Sequence, residues 1–516
     1  MQPPPGTLGS VRSTRQAALV SVTVASVLAT PLSAQGPRPA PEAIARAVDS
    51  LATRVVSSGL SPALGVAVVM DGKTILARSY GWVDASARIP ATDSTLWYVA
   101  STSKSYTGFA IALLAHQGVL DLEAPISALL PGVQWPDGVD PTRLTLANFL
   151  SHTHGLNDNA VVLSAAFTGS IPEAQWPGLV RYATRRPTDD LVYSNFGYNV
   201  AAMVIDRLRP EGWRRYLDSA VYEPAGMHET YARVSGLDVR RIARPHVLNA
   251  AGGYATEEFQ KTDATMNSAG GHLATLRDLA RWTIVQMDGG MIDGRQVFPR
   301  EAVELSHRLI ARQTVEARKR FGPFEREGWA AGWDIGTFMG EPMVSRFGGY
   351  HSFRSHLSML PRRRIGVVAQ VNGPSASDAT DIIATLAYDL EAGRPNARAA
   401  GHARLDSLIA RLPAERQGQA TADSVRRSRQ RPLRRTIGDF AGSYHHPAFG
   451  TLTFAVIDGT LHYRWGVLVG PAEVFDADKD QLRIEFAGSG NVVSFRFDGP
   501  GAASSIQLAG ITFARR

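Results

Sequence analysis

The hydrophobic pattern changes along this chain, and each change marks a predicted element. Apolar residues recur with a helical period over residues 44–56. Two mostly apolar runs, 64–70 and 74–77, then flank Asp71-Gly72, a pair that favours the tight turn of a β-hairpin. The sequence therefore predicts a helix followed by two antiparallel strands.

The remainder of the chain shows two kinds of hydrophobic pattern. Residues 97–390 alternate helical and strand patterns, and the mostly apolar run 365–371 predicts a buried central strand, with a helix after it over 378–390. From Phe440 onward, short alternating runs are separated by Asp-Gly turns. Strands of this length and spacing predict a small all-β barrel or sandwich.

Composition places the chain among ordinary soluble globular proteins. Of its 516 residues, 44% are hydrophobic and 20% are charged, which is enough for a large core and a cleft. It contains no cysteine, which excludes disulfides, thiolate metal sites and a cysteine nucleophile.

The net charge of +7 and the pI near 9.6 come largely from one stretch. Between Arg394 and Arg435, eleven arginines stand against three acidic residues. We therefore interpret residues 392–436 as a basic linker that carries one or two polar helices, such as 405–412, and we expect no nucleic acid partner. Attraction of the arginine run 426–435 to anionic envelope polymers stays an alternative.

The N-terminus has the pattern of a targeting segment. Arg12 and Arg15 precede a short, mostly apolar run over 17–29, and small residues up to Ala34 follow it. This order predicts a secretory signal peptide over 1–34 and an exported protein, periplasmic or extracellular, without an integral membrane segment in the mature chain. An uncleaved anchor stays open.

The sharpest chemical signal is a serine three residues before a lysine. Ser101 and Lys104 lie at the start of a helical pattern that continues through 108–116, so both side chains emerge on one face. A buried lysine beside a hydroxyl has a lowered pKa and can act as its base. The helix N-terminus also offers N–H groups to a developing oxyanion.

Two further motifs follow in order. Tyr193 and Asn195 lie two residues apart before a helical pattern, so a phenol and a carboxamide can enter one cleft. Arg346 precedes Gly348 and Gly349 in a strand pattern, where glycines allow a ligand to approach the backbone closely.

Other catalytic motifs are absent from the sequence. His152 and His154 lie two residues apart without a His-Glu-x-x-His motif, and we expect them to have structural or loop roles. No Gly-x-Ser-x-Gly occurs, so an α/β-hydrolase is not indicated. We expect neither a metal nor a cofactor.

Taken in order, the three motifs resemble those of the serine β-lactamase and penicillin-binding-protein superfamily. Within that superfamily, the chain most resembles the group that includes class C β-lactamases, D-aminopeptidases, DD-carboxypeptidases and esterases. The resemblance extends over 44–390 and includes the segments 144–156, Pro224-Ala225-Gly226-Met227 and 269–280. It implies an α+β domain over 35–391, with an antiparallel sheet flanked by helices and a second helical region.

The resemblance also implies roles for the motif residues. Ser101 is the expected acylated nucleophile, and Lys104 is its expected proton acceptor. Tyr193 is expected to pass the proton to the leaving group and later to activate water, while Asn195 orients Lys104 and the substrate. The backbone N–H groups of Ser101 and Gly349 are the expected oxyanion hole. Which group is the acylation base is disputed in this superfamily.

The chain departs from the family pattern in its third motif. Arg346 occupies a position that is usually Lys or His, and Ser352 one that is usually Gly. Arginine cannot exchange protons near neutral pH but grips carboxylates at two points, so we expect Arg346, together with Gly348, to bind substrate, including a substrate carboxylate. The strands over 437–516 resemble the lipocalin-like domain that follows this catalytic domain in some members.

The leading hypothesis is an exported serine hydrolase that acts through an acyl-enzyme on peptides with D-residues. An esterase and a β-lactamase are the alternatives among enzymes. A catalytically silent penicillin-binding-like protein that binds a ligand is the alternative of another class. The expected partner is a peptide or other small-molecule substrate, and an oligomer is left open.

Overall fold

The computed structural model describes residues 38–188, 190–249, 251, 253–320, 322–429, 431–486 and 488–516. The signal peptide predicted over 1–34 lies outside the described residues. Two nine-stranded sheets, which we call the first sheet and the barrel sheet, organise the described chain. The predicted α+β class is confirmed.

The first sheet is antiparallel throughout. In spatial order, its strands are Ala311–Arg312, Phe324–Trp329, Asp334–Phe338, Glu341–Tyr350, Phe353–Leu360, Ile365–Val371, Ala63–Met70, Lys73–Asp84 and Ile89–Pro90. The predicted hairpin is present, because Met70 pairs with Lys73 across Asp71 and Gly72, which both have the positive φ of such a turn. The predicted central strand Ile365–Val371 is buried along its whole length.

Helices cover both faces of the first sheet. Those of eight or more residues are Pro41–Ser57, Ser103–His116, Phe196–Leu208, Leu276–Met287, Arg300–His307, Ser377–Glu391 and Ala397–Ser428. Alternate residues of one strand contact the two sides, since Val66 and Val68 belong to a core with the helices Pro41–Ser57 and Ser377–Glu391. Ala67 and Val69 belong to the other core, with Leu276–Met287.

The stretch 392–436, interpreted above as a basic linker with one or two polar helices, is mostly helical. Most of it is one helix of 32 residues, Ala397–Ser428, which we call the long helix. Its apolar residues Leu405, Leu408 and Leu412 are buried in the core beneath the first sheet. The polar pattern concealed this packing because only one narrow stripe of a long helix needs to be apolar to pack against a neighbour.

The C-terminal region forms the predicted barrel, which is nearly closed. In spatial order, its strands are Leu468–Pro471, Thr460–Trp465, Gly450–Ile457, Gly442–His446, Ile511–Arg515, Ser505–Leu508, Ser489–Arg496, Gln481–Phe486 and Glu473–Asp476. Its interior is filled by aromatic and aliphatic side chains such as Phe454, Trp465 and Phe513.

The barrel contacts the preceding part of the chain through both main-chain and side-chain atoms. The N–H of Val467 donates to the main-chain oxygen of Thr168 at 2.7 Å. Gly466 has a φ of 59°, and a Cβ there would lie 1.9 Å from the Thr168 oxygen, so the contact requires glycine. The Ser170 hydroxyl donates to the main-chain oxygen of Phe449 at 3.1 Å.

The remaining elements are short. The other α-helices are Ile126–Leu129, Leu146–Leu150, Asn159–Leu163, Trp176–Leu179, Gly212–Leu217, Glu223–Ala225, Val315–Lys319 and Ile437–Phe440. The other strands are Trp97–Tyr98, Leu156–Asn157, Thr184–Arg185, Thr230–Tyr231, His246–Leu248, Tyr254–Thr256, Leu273–Ala274, Met291–Ile292 and Arg295–Gln296. Within the described part of the chain, no helix combines the length and apolar character needed to span a bilayer.

Candidate active site

The predicted nucleophile lies at a sharp turn between a strand and a helix. The strand Trp97–Tyr98 ends just before Ala100, whose φ of 46° is unusual for a residue with a Cβ. A short 3₁₀ turn over Ala100–Thr102 then leads into the helix Ser103–His116. Ser101 is partly exposed while its neighbours are buried, so this turn presents its hydroxyl at the surface of the core.

Lys104 contacts three oxygen atoms from the interior of the protein. Its Nζ donates to Oδ1 of Asn195 at 2.6 Å and to the main-chain oxygen of Ala269 at 2.5 Å, and it lies 3.2 Å from Oγ of Ser101. A neutral amine has two N–H groups and one lone pair. When Asn195 and Ala269 take the two N–H groups, the lone pair faces the Ser101 hydroxyl.

The surroundings of Lys104 favour this neutral amine. Burial lowers the pKa of Lys104 well below its usual value, and the positive charge of Arg346 lowers it further. The carboxylate of Asp334 acts in the opposite direction, to a smaller extent. The arrangement therefore suits Lys104 to accept the proton of Ser101.

Tyr193 also lies beside the nucleophile. Its phenol oxygen lies 2.6 Å from Oγ of Ser101 and donates to Oδ1 of Asn195 at 3.4 Å. Its side chain is 43% exposed, so the phenol can meet both the nucleophile and a molecule in the cleft. The structure thus brings Ser101, Lys104, Tyr193 and Asn195 together.

His152 supports the segment that carries Tyr193. Its Nδ1 accepts from the main-chain N–H of Ser194 at 3.2 Å, and its main-chain oxygen accepts from Val192 at 3.1 Å. Its ring packs 4.8 Å from the ring of Tyr193. Burial lowers the pKa of His152 well below its usual value, so the imidazole stays neutral. This histidine holds both neighbours of Tyr193 in place.

The third motif lies on the strand Glu341–Tyr350, beside the nucleophile. A Cβ on Gly348 would lie 2.3 Å from the main-chain oxygen of Val99 and 3.0 Å from the nitrogen of Ser101, so only glycine allows this approach. A Cβ on the next residue, Gly349, would meet nothing within 4 Å. The oxyanion role of the Ser101 and Gly349 N–H groups stays a prediction, and the open space at Gly349 suits it.

Arg346 is buried, with 1% of its surface exposed, and it contacts protein atoms. Its Nε donates to the main-chain oxygen of Ser101 at 2.9 Å, and its Nη2 donates to the phenol oxygen of Tyr193 at 3.2 Å. Its Nη1 lies 3.4 Å from Oδ2 of Asp334. The role of Arg346 in binding a substrate carboxylate stays a prediction, and these contacts direct the guanidinium toward the protein.

Sequence reasoning did not identify Ala269 and Asp334 as members of this site. Ala269 contributes a main-chain oxygen, which has no signature in the side-chain pattern. Asp334 had a weak signal, because it is an acidic residue directly after the apolar segment 329–333 and is 1% exposed. A buried carboxylate requires compensating partners, and these lie on the two strands that pair with its own.

Comparisons with known proteins show which proteins this chain resembles. Protein flp of Staphylococcus aureus (strain NCTC 8325 / PS 47) is 21% identical over 331 residues, covering 63% of this chain and 62% of flp. The chain therefore spans less than two thirds of the length of that relative.

Two solved structures share the fold. The octameric penicillin-binding protein homologue from Pyrococcus abyssi has a TM-score of 0.56 at 18% identity, covering 90% of this chain and 98% of that one. D-amino acid amidase from Ochrobactrum anthropi SV3, complexed with L-phenylalanine, has a TM-score of 0.53 at 19% identity, covering 64% of this chain and 91% of that one.

The family profile described as Beta-lactamase matches residues 48–390, which is most of the chain and contains every residue of the site. The expected resemblance is confirmed. The chain belongs to the Beta-lactamase family.

Proposed function

We propose that this protein is an exported serine hydrolase that cleaves amide bonds in peptides that contain D-residues, through an acyl-enzyme on Ser101. The observation that carries the proposal is the placement of the Lys104 amine. Asn195 and Ala269 accept its two N–H groups, and its remaining position faces Oγ of Ser101 at 3.2 Å. A base within this reach can take the serine proton as attack begins.

In the acylation step, Oγ of Ser101 bonds to the carbonyl carbon of the substrate while its proton moves to Nζ of Lys104. The carbonyl oxygen becomes an oxyanion facing the N–H groups of Ser101 and Gly349. The C–N bond then breaks, and Tyr193 delivers a proton to the departing nitrogen. Lys104 restores the phenol proton, so the step ends with a neutral amine product and an ester on Ser101.

In the deacylation step, water attacks that ester, and the same groups act in reverse. Tyr193 passes its phenol proton to Lys104 as it takes a proton from the water, and Lys104 returns a proton to Oγ of Ser101 as the C–O bond breaks. The phenol is suited to both steps because it lies 2.6 Å from Oγ and remains 43% exposed toward the cleft.

The proposed substrate class is supported by the fold neighbour that is a D-amino acid amidase, which covers 64% of this chain. The proposed export is supported by the sequence pattern of residues 1–34. Expression in a Gram-negative host followed by N-terminal sequencing tests the export. A periplasmic product beginning after Ala34 supports it, and an uncleaved cytoplasmic product contradicts it.

The catalytic proposal is tested with purified protein and paired D- and L-phenylalanine amides. We expect hydrolysis of the D-amide, a preference over the L-amide, and loss of turnover in Ser101→Ala. Ser103→Ala is the matched control, because Ser103 lies two residues further on and its hydroxyl donates to the main-chain oxygen of Ala100. This variant is expected to retain activity.

A penicillin gives a second, covalent readout. Intact-protein mass after mixing should show an acyl adduct on the wild type and on Ser103→Ala, and none on Ser101→Ala. Turnover that survives Ser101→Ala would overturn the assigned nucleophile. A preference for L-amides would overturn the substrate class and leave the nucleophile in place.

A further inference from the structure

Asp334 is a buried carboxylate that the reaction above does not use. It begins the strand Asp334–Phe338 and is 1% exposed. Its Oδ2 lies 3.4 Å from Nη1 of Arg346, and its Oδ1 lies 3.8 Å from Nη1 of Arg326. A carboxylate removed from water is stable only when cations or hydrogen bonds compensate its charge. Its pairing with Arg346 therefore constrains both side chains.

The pairing sets the orientation of the whole guanidinium. This group is a rigid planar fork, so holding one nitrogen fixes the directions of the other two. With Nη1 beside Asp334, Nε of Arg346 meets the Ser101 main-chain oxygen at 2.9 Å and Nη2 meets the Tyr193 phenol at 3.2 Å. The ring of Trp329, centred 4.8 Å from the guanidinium carbon, supports this plane.

We propose that Asp334 is a positioning residue of the active site, holding Arg346 in the orientation that fixes the Ser101 main chain and the Tyr193 phenol. Arg346 then acts on the catalytic residues and not on a substrate carboxylate. Because the same phenol oxygen accepts from Arg346 and lies 2.6 Å from Oγ of Ser101, Arg346 holds the phenol beside the nucleophile. This inference rests on the proposed function.

The two charges also act in opposite directions on the base. Arg346 lowers the pKa of Lys104, and Asp334 raises it, in addition to the larger lowering that burial causes. Removing the positive charge should therefore raise that pKa, and removing the negative charge should lower it further. The other titratable groups that face Lys104 are Tyr193, Tyr198 and the neutral His152.

The first test compares Asp334→Asn with a matched variant, Asp389→Asn. Asp389 is also a buried aspartate with two arginine partners, Arg394 at 3.5 Å and Arg404 at 3.3 Å, but it lies on the helix Ser377–Glu391, outside the site. We expect Asp334→Asn to lower kcat by about tenfold or more with little change in KM, because small displacements of catalytic groups are costly. Asp389→Asn should leave kcat unchanged.

Neutral and carboxylate-bearing amides distinguish two roles for Arg346: positioning the catalytic residues and binding a substrate carboxylate. Equal losses of kcat on both substrates support positioning. An unchanged kcat in Asp334→Asn, or a rise in KM confined to the carboxylate-bearing amide, would overturn the proposal.

A double variant covers the case in which Asp334→Asn fails to fold. Asp334→Asn combined with Arg346→Gln removes both members of the pair and leaves neither of these charges unmatched. If Asp334 acts through Arg346, the double variant should have the kcat of Arg346→Gln alone. A further loss in the double variant would show that Asp334 acts by another route and would contradict the proposal.

A third readout needs no substrate, so it separates failure of this inference from failure of the proposed function. The chain has five lysines, which makes a ¹³C-lysine NMR titration assignable with Lys104→Arg as reference. We expect the pKa of Lys104 to rise in Arg346→Gln and to fall in Asp334→Asn. If wild-type protein hydrolyses none of the amides, the proposed function fails, while absence of these opposite shifts overturns the role of Asp334.

Discussion

The two nine-stranded antiparallel sheets bury their residues in different ways. In the first sheet, the strands Ala63–Met70 and Ile365–Val371 are buried at every position, because helices cover both faces. In the barrel sheet, the strand Thr460–Trp465 alternates between buried and more exposed positions, because one face lines the barrel interior and the other faces outward. A sheet covered on both faces leaves few positions free to vary, whereas the barrel leaves about half of them free.

The two regions also differ in the polar groups they bury. Lys104, Asp334 and Arg346 are buried close together beside the first sheet. Among the described residues from 437 onward, the fully buried side chains are apolar or aromatic. Burying charge is unfavourable without compensation, so it is concentrated where the surrounding structure can hold each partner in place. The buried charged groups of the candidate site therefore lie in the region of the first sheet, which helices cover on both faces.

The largest expected effect follows from placing a methyl group where the first sheet meets the nucleophile. Gly348→Ala would bring a Cβ within 2.3 Å of the Val99 oxygen, so the strand and the turn carrying Ser101 must separate. We expect kcat/KM to fall by about 100-fold, since small displacements of catalytic groups have effects of this size. The matched control Gly349→Ala has open space at its Cβ, and its thermal stability should match the wild type. Equal activity of Gly348→Ala and wild type would show that the first sheet does not pack against the turn of Ser101 as closely as described.

The buried charge predicts a loss of activity in acid. Because the pKa of Lys104 is lowered, its amine is neutral above that pKa and becomes protonated below it. Protonation removes the base, so kcat/KM should fall by about tenfold for each pH unit below the pKa. A pH–rate profile with one acid limb supports this assignment. A profile that stays flat down to pH 4, with the fold intact by circular dichroism, would contradict it.

Matched valine substitutions compare the two cores directly. Val367 and Val368 are adjacent in the first sheet and both buried, so each Val→Ala change should lower the free energy of unfolding by about 2 kcal/mol. Val493→Ala, at a buried position of the barrel, should cost a similar amount. Denaturant unfolding measures all three. A tolerated substitution at either neighbour, Val367 or Val368, would show that one face of the first sheet is not packed as described.

The smallest effect is expected at an exposed strand end of the barrel. Val456 is 42% exposed in the strand Gly450–Ile457. Val456→Ala should change the free energy of unfolding by less than about 0.5 kcal/mol, because little of its surface is removed from water. A loss as large as that of Val493→Ala would mean that another surface covers this end of the strand.

Local patterns were enough to predict much of the fold. The hairpin around Asp71-Gly72 and the strand Ile365–Val371 follow from turn chemistry and from short apolar runs, which depend on neighbours in the chain. The site residues Ser101 and Lys104 were recognisable because one helical turn brings them onto the same face. Each of these features is decided by residues close together in the sequence.

The features that escaped prediction depend on contacts between separate elements. Asp334 matters because strand pairing sets it beside Arg346, and the Ala269 oxygen matters because a distant turn delivers it to Lys104. The packing of the long helix depends on three leucines in an arginine-rich segment. None of these contacts produces a periodic pattern in the sequence, since each forms only when separate elements pack together.

The contact between Val467 and Thr168 has a consequence for divergence among relatives. A hydrogen bond between two main chains places little demand on the side chains at either position, so substitutions there leave it intact. The restriction falls on Gly466, whose positive φ and close approach exclude other residues. We therefore expect the side chains at Thr168 and Val467 to vary among relatives, whereas Gly466 should be retained because it allows this contact.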